Sequence, residues 1–179
     1  MTKFAFWIAA LGVGARFECG ECAKYDLTSS DLKEGGTIVN EQVFKGFGCT
    51  GGNVSPDLSW SGAPSRTKSF AVSIYDPDAP TVGWWQLGCV QYFTRYDVVA
   101  QGAGDVRKKL MPKGAIQSRT DFGADGYGGP CPPTGDKPHH YQVTALAVDV
   151  DKLLDAKNDS ASAALVGFDL HFHTLAKAH

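Results

Sequence analysis

Three short segments hold the residues whose types and spacing could do chemistry. Asp76 and Asp78 end an apolar run in DPDAP, where Pro77 and Pro80 restrict the backbone. GYGGPCPP (126–133) is a loop rich in glycine and proline that carries Cys131, and PHHY (138–141) supplies His139, His140 and Tyr141. On a strand, His139 and Tyr141 point to one face, and their N–H and O–H groups would suit an oxyanion. Gly126, Gly128 and Gly129 allow the backbone to come close to a ligand, while Pro130, Pro132 and Pro133 fix the shape of the loop and limit the entropy lost on binding. Asp76 would then orient the donors, take a proton from a monoprotonated phosphate, or meet an ammonium on the same ligand. The competing reading of DPDAP is a plain turn, since Asp-Pro sequences favour turns.

Two other chemistries compete for these residues. A hydrolase would use Cys131 or Asp76 with His139 as base, but Cys131 lies between prolines and nothing nearby lowers its pKa. A metal site would draw on Asp76, Asp78, His139 and His140, or on Cys19 and Cys22 with a histidine. His139 and His140 face opposite ways on a strand, which weakens the first set. No catalytic residue, metal or cofactor is assigned. His171 and His173 are i and i+2 on a helix and share no face.

The elements that must position these groups are mostly strands. SFAVSIYD (69–76) is almost wholly apolar, as a central strand should be. GCVQYF (88–93) reads as a second strand and HHYQVTALAVDV (139–150) as a third, with Tyr141, Val143, Ala145 and Ala147 on one face. YDLTSSDLKEGGTI (25–38) reads as a strand and a Gly-Gly turn. Residues 43–60 read as loop with two short extended pieces, and 121–138 as a long loop of the kind that carries function. Trp84 and Trp85 should split between core and pocket. ASAALVGFDLHFHTLAKAH (161–179) reads as a helix. No strand–helix–strand alternation is visible, so the fold class is mainly β and antiparallel, with one or two peripheral helices.

The 179 residues suffice for one domain, and 43% hydrophobic with 20% charged residues is ordinary globular composition. A net charge of −2, with Arg107–Lys109 the one short basic run, argues against a nucleic-acid partner. Residues 1–24 read as a leader or N-terminal extension: Lys3, an apolar run from Phe4 to Ala15, and small residues at Val13 and Ala15 resemble a signal peptide, and the run is too short to span a bilayer. That reading places the protein in the periplasm or outside the cell; without it, the protein is cytoplasmic. Five cysteines, at 19, 22, 49, 89 and 131, fit an exported chain. Cys19 and Cys22 lack the context of a redox motif, and Cys89 is the choice for a buried free thiol.

Taken together, LTSSDLKEGG, FKGFGCTGGNVSPDLSWSGAP, KSFAVSIYDPDAPT, GWW, DFGADGYGGPCPPTGDKPHHY and ALVGFDLHFHTLAKA resemble the phosphatidylethanolamine-binding protein family, also called Raf-kinase-inhibitor-like proteins, and its bacterial branch above all. The resemblance runs over residues 25–179 as one domain. It implies a large antiparallel sheet packed on a smaller one, and an anion pocket at one end. That pocket would comprise Asp76, Asp78 and Pro80 as acidic wall, Trp85 and Gln86, Gly129, Cys131 and Pro133 in the lip, and His139 and Tyr141 as floor. It implies a Cys49–Cys131 disulfide if the chain is exported. The implied function is non-enzymatic binding of a phosphate-like or phosphoethanolamine headgroup, with a kinase or protease as protein partner; a homodimer is compatible. The chain departs from the family pattern at Gln86, where histidine is usual, so charge is lost and Gln86→His is expected to tighten phosphate binding. Relatives also usually continue past HTLAKA into a final strand.

Overall fold

The computed structural model describes residues 24–81, 83–93, 96–154 and 161–179. The leader segment with Cys19 and Cys22 lies outside the described residues, as does the Cys89 side chain.

Among the described residues there are ten strands and one α-helix: β1 (Asp26–Thr28), β2 (Lys45–Gly46), β3 (Cys49–Thr50), β4 (Leu58–Ser61), β5 (Ser69–Asp76), β6 (Trp84–Phe93), β7 (Val98–Val99), β8 (Ile116–Gln117), β9 (Gln142–Val148), α1 (Ala163–His173) and β10 (Thr174–Ala178). Five strands form the main sheet in the order β10-β9-β5-β6-β8, three form a smaller sheet β1-β4-β7, and β2 and β3 make a hairpin, all antiparallel. This is the expected mainly β architecture.

β5 is central because both of its faces are covered. Phe70, Val72 and Ile74 meet Leu58, Trp60 and Val99 of the small sheet, with Ala145 and Ala147 of β9 beside them. On the opposite face Ala71, Leu146 and Val148 meet Val166 and Leu170 of α1. Burial on both sides explains why the strand lacks a clean polar alternation.

The C-terminal segment differs from the sequence reading. α1 starts on its Ser162 cap, whose hydroxyl accepts from Leu165 N, but it ends at His173. Residues 174–178 turn back as β10 and pair with β9 from Val148 to Ala145. Leu, Ala and Lys are good helix formers, yet the hydrogen bonds offered by the open edge of β9 outweigh a propensity difference of a few tenths of a kcal/mol. His173 then caps the junction, its Nδ1 3.0 Å from Asp149 Oδ1, while His171 is exposed.

Candidate functional site

The site lies where β5 ends and β9 begins. The Asp76 carboxylate folds back onto its own turn, with Oδ1 accepting from Asp78 N at 2.9 Å. This Asx-type bond, with Pro77 between the two residues, sets the direction of the chain leaving β5. Oδ2 lies 2.8 Å from Nδ1 of His139. Both side chains are nearly closed off, 5% exposed for His139 and 4% for Asp76. The Asp76 bond raises the His139 pKa above its usual value, with burial opposing and the carboxylate charges of Asp76 and Asp136 adding to the rise. The site therefore favours an imidazolium–carboxylate pair, whose Nε2–H faces Asp136 at 3.6 Å, too long for a good hydrogen bond.

Tyr141 completes the group. Its ring lies 6.5 Å from that of His139. Its hydroxyl is buried and has no hydrogen-bond partner of acceptable geometry among the described residues. Burial pushes its pKa up, and the nearby Asp76 carboxylate adds to this, so the hydroxyl stays protonated and available as a donor.

A second aspartate–histidine pair joins the same two segments on the outside. Asp78 Oδ2 accepts from His140 N at 2.7 Å and sits 2.7 Å from its Nδ1. These bonds hold the Asp78 carboxyl below its usual range, the backbone N–H contributing most. The adjacent histidines do face opposite ways, one inward to Asp76 and one outward to Asp78.

The lip is held by three devices. Cys49 and Cys131 form a disulfide that ties the β2–β3 hairpin to the lip. Asn53 Oδ1 accepts from Gly129 N at 2.7 Å, Phe44 N donates to Pro130 O at 3.0 Å, and the Tyr127 hydroxyl donates to Gln42 O at 2.9 Å. The third is Gln86. β6 is bulged here, since Ile74 pairs with Leu87 but Tyr75 pairs with Trp85. Gln86 is the extra residue, and a bulge re-aims its side chain. It is 3% exposed, and with its amide assigned the orientation that its neighbours require, the nitrogen donates to Gly128 O and Gly129 O at 2.5 and 2.8 Å. Its backbone carbonyl also accepts from Gly128 N at 2.8 Å.

This geometry revises several roles read from the sequence. The Gly128 and Gly129 N–H groups are used by the lip itself. Gly129 is needed because a Cβ there would stand 2.0 Å from Gln42 O. Gln86 fastens the lip through its amide. Trp85 faces away from Asp76 and packs on Tyr75 with ring centres 4.6 Å apart; Trp84 is the residue paired with Asp76 across the sheet. Pro80 and Pro133 are exposed. Cys131 is disulfide-bonded and so is no thiolate nucleophile. Among the described residues no group of three His, Cys, Asp or Glu is placed to hold a metal. What the structure brings together from the sequence list is Asp76, His139 and Tyr141, with Asp78 behind them. Sequence reasoning missed Asn53 and Asp136, polar residues in glycine-rich loops that carry no periodic signal.

A family profile described as phosphatidylethanolamine-binding protein matches residues 28–179. The chain belongs to the phosphatidylethanolamine-binding protein family. Within it, the chain is 45% identical over 159 residues to the UPF0098 protein YbcL of Escherichia coli, covering 88% of this chain and 86% of that one. It is 44% identical over 153 residues to YbhB of the same organism, covering 85% and 94%. The crystal structure of E. coli YbcL, described as a new member of the mammalian family, superposes with a TM-score of 0.82 over 87% of this chain and 94% of that chain. A family homolog from Chlamydia trachomatis gives 0.69 at 27% identity, with 87% and 94% covered. These likenesses make it a bacterial-type member and support a binding protein.

Proposed function

We propose that the protein is a non-enzymatic binder of a small phosphate-bearing or zwitterionic headgroup, held between Asp76, His139 and Tyr141. The observation that carries this reading is the buried Tyr141 hydroxyl, which has no hydrogen-bond partner of acceptable geometry among the described residues and lies near the buried Asp76 and His139 side chains. Leaving a buried donor unmade costs about 1–3 kcal/mol, a cost that a bound acceptor would remove. Ligand oxygens would accept from the Tyr141 O–H and the His139 Nε2–H. Asp76 and Asp136 disfavour a full dianion and would receive an ammonium, so phosphoethanolamine fits better than inorganic phosphate. Binding or inhibition of a kinase or protease is the proposed downstream role. The disulfide supports an oxidising compartment, and with residues 1–24 as leader and 25–179 as the binding domain, we place the protein in the periplasm or outside the cell.

Calorimetry with O-phosphoethanolamine tests the reading. Tyr141→Phe should weaken binding by about 2- to 13-fold, the loss of one net hydrogen bond, and His139→Ala by more. Unchanged affinity in both variants would refute the site. Turnover of activated phosphoesters or esters that is lost in His139→Ala would instead establish a hydrolase.

A further inference from the structure

The lip continues into residues 131–138, which deliver the chain to His139. This segment carries Asp136, whose carboxylate stands 3.6 Å from Nε2 of His139. Few bonds hold it. Phe44 N donates to Pro130 O, just before the segment, at 3.0 Å, and Asp136 N closes a turn on Pro133 O at 3.1 Å. Among the described residues, no backbone hydrogen bond ties 131–138 to the rest of the chain. Pro132, Pro133 and Pro138 have no N–H to offer, and residues 132–138 are all exposed. The firm attachment is covalent, through the Cys49–Cys131 disulfide to the β2–β3 hairpin.

The other end of that bond sits on a strained turn. The hairpin pairs Lys45 with Thr50 and Gly46 with Cys49, leaving Phe47 and Gly48 as the turn. Both have positive φ, 52° and 91°. A type I′ turn requires this and strongly prefers Asn, Asp or Gly. A phenylalanine in the left-handed region is an outlier that persists only when its surroundings over-determine it. The rings of Phe44 and Phe122 are 5.4 and 5.9 Å away, yet Phe47 is 79% exposed, so packing alone does not hold the turn. Cys131 Sγ lies 3.7 Å from Gly46 O and 3.9 Å from Phe47 O, so the bond and the turn are in contact. Both cysteines are partly exposed. Strained or accessible disulfides are the ones that reduce readily.

We propose that the Cys49–Cys131 pair is a redox latch on the ligand site, closed by oxidation and opened by thiols. The inference rests on the headgroup reading above and adds its regulation. Exchange with a dithiol passes two electrons and two protons to the pair: the dithiol leaves as its cyclic disulfide, and Cys49 and Cys131 become thiols. The base of the hairpin stays docked on the lip. Phe44 N on Pro130 O, Gly129 N on Asn53 Oδ1 and the Tyr127 hydroxyl on Gln42 O do not depend on sulfur. Neither cysteine belongs to a core cluster. Reduction therefore frees 131–138 and relaxes the turn without dismantling the fold. Asp136 loses its fixed place beside His139, and a ligand must order the segment as it binds. In a compartment rich in thiols the chain holds its ligand poorly; after export the site closes.

The test measures phosphoethanolamine binding to the full chain by calorimetry, oxidised and after reduction with dithiothreitol. Affinity should fall at least about fivefold on reduction, the cost of ordering two side chains of the segment. Cys49→Ser with Cys131→Ser, which cannot close, should match the reduced parent and ignore dithiothreitol, which separates this bond from Cys19, Cys22 and Cys89. Coupling is reciprocal, so saturating phosphoethanolamine should raise the ratio of reduced to oxidised dithiothreitol at half-reduction by the same factor. Phe47→Asn, which suits the turn, should raise that ratio about fivefold and leave the oxidised affinity unchanged; no shift would overturn the role of the turn. Equal affinity in the two redox states would overturn the latch while leaving the headgroup site intact. Loss of the whole fold on reduction, read from near-UV circular dichroism, would also overturn it by making the bond a structural staple. No binding in either state would refute the headgroup reading and the latch with it.

Discussion

Replacing Gln86 tests whether the departure from the family pattern acts through charge or through the lip. Its amide bridges two buried backbone carbonyls, Gly128 O and Gly129 O. Gln86→Met keeps the length and apolar stem but offers no donor. Each lost bond is worth about 0.5–1.5 kcal/mol net, so the pair should cost about 1–3 kcal/mol. Gln86→Glu is more informative, because an ionised carboxylate would face two carbonyl oxygens. That contact disfavours the charged form and raises the folded-state pKa above the unfolded value of about 4.3. The excess loss over Gln86→Met should therefore be largest near neutral pH and shrink as pH falls toward about 4.3. Protonated glutamic acid can also restore one donated bond. Denaturant unfolding at several pH values, with the disulfide intact, gives these differences directly. Gln86→His should likewise loosen the lip and bring no gain in phosphate affinity. Two results would refute the reasoning: a Gln86→Met variant as stable as the parent, or tighter phosphate binding in Gln86→His at mildly acidic pH.

The disulfide spans 82 residues, and chain entropy puts its contribution at about 4–5 kcal/mol; Cys49→Ser with Cys131→Ser should lower the denaturant midpoint accordingly. Gly129→Ala, with its Cβ forced against Gln42 O at 2.0 Å and Phe44 N at 2.6 Å, should cost at least the roughly 1–3 kcal/mol of an overpacked site and weaken headgroup binding in titration. The His139 pKa is raised in the folded state. Stability from its pair with Asp76 is thus complete below the unfolded pKa of about 6.5 and lost as pH rises through the folded value. Unfolding curves across this window should converge for parent and His139→Gln on the alkaline side.

Much of the frame was legible because it rests on composition and turn chemistry. β5 and β9 stand out by length and apolar content, and Asp-Pro-Asp marks the turn that aims Asp76. The spacing of His139 and Tyr141 was enough to bring both to one site. What failed depended on register. Which tryptophan faces Asp76 is decided by the bulges in β6, and a one-residue slip exchanges the faces of a strand. The same bulge gave Gln86 its partners, and nothing in WWQLG announces it. The glycines of the lip were read as places where the backbone comes close to a ligand; in the structure the chain itself comes close, with Gln42 and Phe44 at Gly129, the Phe122 ring at Gly128 and Gly104 O at Gly126. β10 was hidden for a similar reason, since its sequence is compatible with helix and its partner strand ends some 25 residues earlier.

The two aspartate–histidine pairs have a kinetic consequence. They close the same seam between the β5 turn and the start of β9, but in different dielectric surroundings. The His140 side chain is 86% exposed, whereas the inner pair is 4–5% exposed. Whenever His140 carries its proton, dissolved salt screens the outer pair and scarcely reaches the inner one. Ionic strength should therefore govern how often the seam parts, and with it the association and dissociation rates together, while the equilibrium set by the inner groups stays nearly constant.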